Sequence, residues 1–147
     1  MIGPASYAYS NKRNVIIPVA KIRVLYADTD QMCVVNNVIY LRWFEVGRAE
    51  WLRQHGRPYK ELESAGLMLP VVEAHLRYRE PARYDDLIAV HGGPDEVRAA
   101  SFKFHYELRR ERDNALLCTG WTTHACLAPD GKVKRLPDAI LSLLRST

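Results

Sequence analysis

The chain has 147 residues, which is enough for one domain with its own core. Hydrophobic residues make up 48% and charged residues 26% of it, as in ordinary soluble proteins. The net charge of +4 suits an anionic ligand, but the aromatic residues stand mostly at core-like positions, which disfavours nucleic-acid binding. We therefore predict a single domain over residues 1–147 with no nucleic-acid partner.

The start of the chain and its cysteines bear on location. Residues 1–14 are small and polar, with no apolar run long enough for a signal sequence, and they predict a loose arm. No stretch has the length of a membrane span. The chain has three cysteines, Cys33, Cys118 and Cys126, and their spacing is not that of a metal site. An odd number favours free thiols in a reducing compartment. These features predict a cytoplasmic protein.

The first half of the chain predicts one strand and one long helix. Alternation of apolar and charged residues indicates the strand, and an Asn-Asn pair, good at capping a helix start, precedes the helix. The apolar residues of the helix cover most of its circumference, which predicts a helix wrapped by other structure. The predicted elements are an apolar patch at 15–18 that could add an edge strand, a strand at 21–26, the helix from Asn36-Asn37 to about Gln54, and a short helix at 58–65.

The second half predicts strands. Clean alternation of apolar and polar residues is typical of antiparallel sheets with one packed face. Gly120, in the middle of the last strand, predicts a bulge or a close backbone approach. One apolar sheet face and one apolar helix favour an α+β fold with the sheet curled around the helix. The predicted elements are strands at 71–79, 87–91, 101–109 and 115–127, and a helix at 137–144.

One motif carries a resemblance to a known family. The run D-T-D-x-x-x-V-V-N-N-x-x-Y-L-x-x-F-E-x-x-R, from Asp28 to Arg48, resembles the signature of hotdog-fold acyl-CoA thioesterases of the 4-hydroxybenzoyl-CoA thioesterase type and their Tol-Pal-associated relatives. Residues 78–86, 101–104 and 131–137 support it. The resemblance implies a five-stranded antiparallel sheet around one long helix. It also implies edge-to-edge dimers, often paired into tetramers, with active sites at the dimer interface.

Hydrolysis of a thioester needs a base or nucleophile at the acyl carbon and a donor for the developing oxyanion. Asp30 stands seven residues before Asn37, where the helix begins. Backbone N–H groups at a helix start can polarise a carbonyl. In the family, the acid matching Asp30 is the catalytic carboxylate, and the N–H matching Asn37 polarises the thioester. We therefore expect Asp30 to attack the acyl carbon or to activate water, releasing a free acid and CoA without a metal or cofactor.

Alternative roles stay open at this point. We interpret Asp28 as structural and Tyr40 as a pocket wall. Glu45 is the catalytic acid in other hotdog subgroups, but it could equally pair with Arg48 within the helix. Two other functions are a hotdog protein that binds acyl thioesters without hydrolysing them and a hydroxyacyl dehydratase. An intact Asp30 argues against the first, and the absence of a histidine before the central helix argues against the second.

The resemblance also suggests substrate contacts. Cys33 stands where the family usually has glycine, so it could narrow the pocket, and its thiol has no histidine close in sequence to make it a nucleophile. The phosphates of CoA need basic groups at the entrance, although Ala99 and Ala100 replace two basic residues of one relative, so a solvated basic edge is the alternative. The predicted substrate-binding residues are Cys33, Val34, Asn36, Tyr40, Arg98, Ser101, Lys134 and Arg135.

Overall fold

The structure, a computed structural model, describes residues 16–146. The expected loose arm over residues 1–14 lies outside these residues. The described elements are β1 (Ile17–Arg23), a 3₁₀ turn (Tyr26–Asp28), α1 (Asn37–Gln54), α2 (Tyr59–Ser64), β2 (Val71–Tyr78), β3 (Leu87–Asp95), β4 (Ser101–Arg110), β5 (Leu116–Ala125) and α3 (Asp138–Arg145).

The five strands form one antiparallel sheet in the order β1-β3-β4-β5-β2. The inward residues of β4 alternate with half-buried outward residues along the whole strand, as the sequence pattern predicts. β1 and β2 are the two edges of this sheet. The prediction of an α+β fold, with a five-stranded antiparallel sheet against one long helix, is confirmed.

Helix α1 packs one side against the sheet. Phe44 is fully buried and stacks on Tyr106 of β4, with ring centroids 4.1 Å apart. At Gly47 a Cβ would lie 2.7 Å from a methyl group of Val90, so the missing side chain lets helix and sheet approach. On the other side Val38 and Leu41 are 63% and 40% exposed. The expectation of a helix covered all round is therefore wrong for one copy of the chain, because five strands cover only one side.

Two strand boundaries differ from the prediction. β1 begins at Ile17 and ends at Arg23, so the apolar patch at 15–18 belongs partly to it, whereas Tyr26 lies in the 3₁₀ turn. β3 continues through the Gly-Gly-Pro sequence that predicted its end. It does so because β4 is long enough to keep pairing, with Gly92 lying against the ring of Phe104, where a Cβ would not fit.

Gly120 marks a close approach and not a bulge. A Cβ there would overlap the backbone oxygen of His75 and lie 2.7 Å from the ring of Phe44. Pairing of β5 with both neighbours is regular at this residue. Among residues 16–146, no helix is long and apolar enough to cross a membrane.

Candidate active site

The loop between the 3₁₀ turn and α1 turns sharply at Asp30. The N–H of Cys33 donates to the backbone oxygen of Asp30 over 2.9 Å, and the N–H of Asp30 donates to the oxygen of Val34 over 2.9 Å. One carboxylate oxygen of Asp30 accepts from the N–H of Met32 at 2.8 Å. The other accepts no hydrogen bond from residues 16–146. The loop thus fixes the Asp30 side chain and leaves it exposed, with one oxygen available.

Asp28 has a different environment. It is 5% exposed, and its Oδ2 accepts from the N–H of Leu25 at 2.9 Å. Its Oδ1 lies 4.0 Å from a guanidinium nitrogen of Arg42. Its backbone oxygen accepts from the N–H of Asn36 at 2.8 Å. These contacts hold the loop between β1 and α1, which agrees with the structural interpretation of Asp28.

The N-terminus of α1 has a backbone N–H, that of Asn37, which is available to a ligand. The side chain of Asn36 accepts from the N–H of Val38 at 3.1 Å, and its backbone oxygen accepts from Ile39 at 3.0 Å. Asn37 is the first helical residue, and its N–H has no intrahelical acceptor. No group in residues 16–146 accepts a hydrogen bond from it. The N–H of Asn37 is therefore available at the positive end of the helix dipole.

One cleft joins the loop and the helix tip. It has a volume of about 370 Å³ and opens to solvent. Both predicted catalytic residues, Asp30 and Asn37, line it, together with the predicted contacts Val34 and Tyr40. Cys33 and Asn36 belong to the same loop without lining the cleft. The full lining is Asp30, Met32, Val34, Val35, Asn37, Tyr40, Tyr78, Arg79, Glu80 and Pro81.

Tyr40 forms part of the cleft wall and holds it in place. Its hydroxyl accepts from the N–H of Ala82 at 2.9 Å. Its ring packs against Tyr78 with centroids 5.1 Å apart. Burial raises the pKa of Tyr40, against the opposing effect of the hydrogen bond from Ala82. A phenol that stays protonated and is engaged with the backbone fits a wall residue rather than an acid, as expected from the sequence.

Sequence reasoning missed the opposite wall of the cleft. Tyr78, Arg79, Glu80 and Pro81 come from the end of β2 and the segment after it. These four residues belong to the run at 78–86 that supports the family resemblance. Their position in the sequence, however, does not indicate that they lie next to Asp30. Only the pairing of β2 at the sheet edge brings them there.

Cys33 adopts a backbone conformation that favours glycine. Its φ is 60°, in the left-handed region that residues with a Cβ rarely occupy. Its thiol is exposed, and its backbone oxygen accepts from the guanidinium of Arg83 at 3.3 Å. The glycine usual in the family fits this conformation, and this chain holds a cysteine in it instead.

The predicted CoA-binding residues lie at the other end of the sheet. The N–H of Arg98 donates to the oxygen of Ser101, where β4 begins, at 2.7 Å. The N–H of Lys134 donates to the oxygen of Cys126, just after β5, at 2.9 Å. Tyr78 pairs with Cys118, seven residues before Ala125 along β5, so this group lies roughly 23 Å from the cleft of the same chain. Arg135, 3.8 Å from Asp138, belongs to it too.

A second cavity of about 210 Å³ lies at this other end, between α1, β4 and the start of β2. Glu45 and Arg48 line it among apolar side chains that include Trp51 and Phe102. No carboxylate of residues 16–146 lies within 4.0 Å of the Arg48 guanidinium, so the intrahelical Glu45–Arg48 pair, one of the alternatives left open by the sequence, does not form. Arg48 instead lies beside the Tyr106 hydroxyl, across the helix–sheet interface.

Buried polar groups continue inward from Arg48. The hydroxyl of Tyr106 lies 2.7 Å from that of Thr122, which lies 2.7 Å from Nε2 of His124. Nδ1 of His124 donates to the backbone oxygen of Leu69 at 3.0 Å, because a carbonyl only accepts. Burial lowers the pKa of His124 to about 4, with Arg48 adding to the effect against the Leu69 hydrogen bond. The neutral ring therefore accepts from Thr122, and Thr122 accepts from Tyr106.

Comparisons with known proteins agree with this architecture. The model of the thioesterase-like superfamily matches residues 24–144. The chain belongs to the thioesterase-like superfamily. It is 33% identical over 114 residues to the acyl-CoA thioesterase YbgC of Haemophilus influenzae, covering 77% of this chain and 82% of that protein. The expectation of the hotdog fold, and of a thioester hydrolase at the level of the family, is confirmed.

Solved structures give the same result for this superfamily member. A hypothetical protein from Thermus thermophilus superposes with a TM-score of 0.82 at 35% identity, covering 88% of this chain and 98% of that one. A 1,4-dihydroxy-2-naphthoyl-CoA thioesterase from Synechocystis superposes with a TM-score of 0.79 at 26% identity, covering 86% and 93%. The relatives thus include a general acyl-CoA thioesterase and a 1,4-dihydroxy-2-naphthoyl-CoA thioesterase, so membership of the family leaves the acyl group undefined.

Proposed function

We propose that this protein hydrolyses acyl-CoA thioesters to a free carboxylic acid and CoA in the cleft between Asp30 and Asn37. One observation carries the proposal. The Asp30 carboxylate, with an oxygen available, and the N–H of Asn37 at the tip of α1 line the same cleft. The superfamily supports the reaction type. In this proposal a thioester carbonyl binds between the two groups, and the chain acts as a member of the 4-hydroxybenzoyl-CoA thioesterase type.

The chemistry follows from these two groups. The thioester oxygen accepts a hydrogen bond from the N–H of Asn37, which strengthens as negative charge develops on that oxygen. A donor of this kind typically lowers the barrier by roughly 3–4 kcal/mol. In one route an Asp30 oxygen attacks the acyl carbon, the C–S bond breaks, CoA leaves as a thiol after protonation, and water hydrolyses the resulting anhydride. In the other route Asp30 removes a proton from water as that water attacks the acyl carbon, the C–S bond breaks, and the proton passes to the departing CoA thiolate.

We further propose that two copies pair through β2 to complete the site. β2 is a sheet edge, and its Val72 and Tyr78 are 61% and 48% exposed. Antiparallel pairing about a two-fold axis at His75 would place Glu73 of one copy opposite Arg77 of the other and cover Val72 with Tyr78. Such pairing would continue the sheet from one copy into the other and place residues of opposite charge next to each other across the seam. Dimers could then pair further into tetramers.

This pairing also accounts for the separation of the two groups of predicted site residues. The start of one β2 would lie beside the end of the other. The second cavity and the Arg98–Ser101 and Lys134–Arg135 segments of one copy would then adjoin the Asp30 cleft of its partner. In this arrangement the cavity receives the acyl group and the basic segments hold the phosphates of CoA. A cytoplasmic location and a single domain over residues 1–147 complete the proposal.

The decisive experiment measures thiol release from a panel of acyl-CoA esters. We expect hydrolysis of at least one ester, and loss of about 10²- to 10⁴-fold in kcat for Asp30→Asn, since the substitution removes the base or nucleophile. Glu63→Gln is the matched control, because it removes an exposed carboxylate on α2 that lines neither cavity. Wild-type turnover in Asp30→Asn would end the assignment. Formation of an enoyl product, or binding without thiol release, would favour the dehydratase or the binding protein.

A second measurement tests the CoA contacts. Arg135→Glu should raise KM for an acyl-CoA without a matching loss of kcat, because a phosphate contact is made in both the ground and transition states. Arg145→Glu, at an exposed position at the end of α3, is the control. An unchanged KM in Arg135→Glu would favour a solvated basic edge.

A further inference from the structure

The guanidinium of Arg110, at the end of β4, contacts three carboxylates. Its side chain is only 10% exposed. The guanidinium lies 3.1 Å from a carboxylate oxygen of Glu80, 3.7 Å from one of Asp86 and 3.1 Å from one of Asp113. Glu80 and Asp86 stand near the two ends of the segment at 79–86, which connects β2 to β3. A single cation therefore ties both ends of this segment to β4.

The same segment braces the loop that carries Asp30. Ala82, fully buried in its centre, accepts from the N–H of Val35 at 2.8 Å and donates to the Tyr40 hydroxyl at 2.9 Å. Arg83 donates to the backbone oxygen of Cys33 at 3.3 Å. The segment thus contacts the loop before α1 at two points and the first turn of α1 at a third.

Three residues of the segment, Arg79, Glu80 and Pro81, also line the cleft directly. Asp86 anchors the far end, because its carboxylate accepts from the N–H of Arg83 at 2.9 Å and its backbone oxygen accepts from Val24 at 2.9 Å. The carboxylate of Asp86 is 7% exposed, and a buried charge needs a compensating partner. Without the guanidinium, the segment would have to move to bring that charge to water.

We propose that Arg110 is a positioning residue for catalysis, which sets the placement of Asp30 relative to the N–H of Asn37 through the segment at 79–86. This inference rests on the proposed function, because the placement matters only if the cleft is the active site. Arg110 itself does not line the cleft and reaches it only through Glu80. Its effect is geometric, and displacements of about 1 Å in a reacting group can lower a rate about 10²-fold.

The test compares Arg110→Gln and Arg110→Lys with Arg109→Gln. Arg109 is the neighbouring residue, and it pairs with Glu107 on the same strand at 3.1 Å. We expect kcat to fall about 10- to 100-fold in Arg110→Gln, with KM changing less than about threefold. Arg110→Lys should recover part of the loss, because an ammonium group keeps the charge but cannot bond three carboxylates in fixed directions. Arg109→Gln should match the wild type.

The pH profile of kcat distinguishes a positioning role of Arg110 from a general loss of stability. The pH profile of kcat should shift on its acidic side in Arg110→Gln and not in Arg109→Gln, because the surroundings of the Asp30 carboxylate change. Should Arg110→Gln fail to fold, Asp86→Asn tests the same link, because it removes the buried charge while keeping an acceptor for Arg83. In that variant kcat should fall about 3- to 10-fold.

Two results would overturn the inference. One is a wild-type kcat and pH profile in folded Arg110→Gln or Asp86→Asn. The other is an equal loss in Arg109→Gln. These outcomes differ from a failure of the proposed function, in which Asp30→Asn itself would turn over normally. If Asp30→Asn is inactive and the Arg110 variants are fully active, only the positioning role is wrong.

Discussion

The hydroxyl of Tyr78 donates a hydrogen bond to the backbone oxygen of Asn37 over 2.9 Å. Tyr78 ends the edge strand β2, and Asn37 begins α1. The accepting oxygen and the N–H of Asn37 belong to different peptide groups, so the bond fixes the helix tip without occupying its available donor. The sheet edge is therefore coupled directly to the proposed oxyanion donor.

Tyr78→Phe tests this coupling. The change removes one hydrogen bond and leaves the ring contact with Tyr40 in place. We expect kcat to fall about 3- to 10-fold, equivalent to the net value of about 0.5–1.5 kcal/mol for one hydrogen bond, as measured by steady-state hydrolysis. Tyr84→Phe is the control at another exposed tyrosine, and it should leave kcat unchanged. A fully active Tyr78→Phe would show that the helix tip needs no support from β2.

The left-handed backbone at Cys33 predicts opposite effects for two substitutions. Cys33→Gly relieves the strain of a positive φ but gives the unfolded chain more freedom, so we expect stability to stay equal or to rise by up to about 1 kcal/mol. Cys33→Val, with a branched Cβ at the same φ, should lose about 1–3 kcal/mol. Chemical denaturation measures both. Equal stabilities for the two variants would contradict the assigned backbone conformation.

Gly120→Ala should be strongly destabilising. An added Cβ would overlap the backbone oxygen of His75 and press on the ring of Phe44, which is itself stacked on Tyr106. We expect a loss of about 2–4 kcal/mol in the free energy of unfolding, since neither β2 nor the packed ring can move without disturbing the core. Thr119→Ala, the neighbouring residue on the outer face, should lose less than about 1 kcal/mol. A stable Gly120→Ala would show that β2 and β5 are not packed this closely.

His124 predicts a pH dependence of stability. Its pKa is lowered by burial from 6.5 to about 4, so the unfolded chain binds a proton more readily between these values. The stabilisation is therefore complete above about pH 6.5 and is lost as the pH falls towards 4, with a total on the order of 3 kcal/mol. His124→Gln removes this titration. Its free energy of unfolding should fall less steeply than that of the wild type over this range, and parallel curves would contradict the buried neutral ring.

Local patterns in the sequence determine most of the fold. Alternation along β4 predicted which of its side chains are buried, because a strand turns successive residues to opposite faces. The Asn-Asn pair predicted the start of α1, because capping is a contact between near neighbours. The motif from Asp28 to Asn37 placed a carboxylate and a helix start seven residues apart, and such a distance is short enough for one loop to span.

Contacts between residues far apart in sequence required the tertiary structure. Tyr78 reaches Asn37, Arg110 reaches Asp86, and the Glu45–Arg48 pair gives way to a contact between Arg48 and Tyr106. No spacing rule predicts these contacts, because they depend on strand order and on how far the sheet curls. The sequence by itself determined the candidate carboxylate and donor, whereas the packing of β2 at the edge decided which residues form the cleft around them.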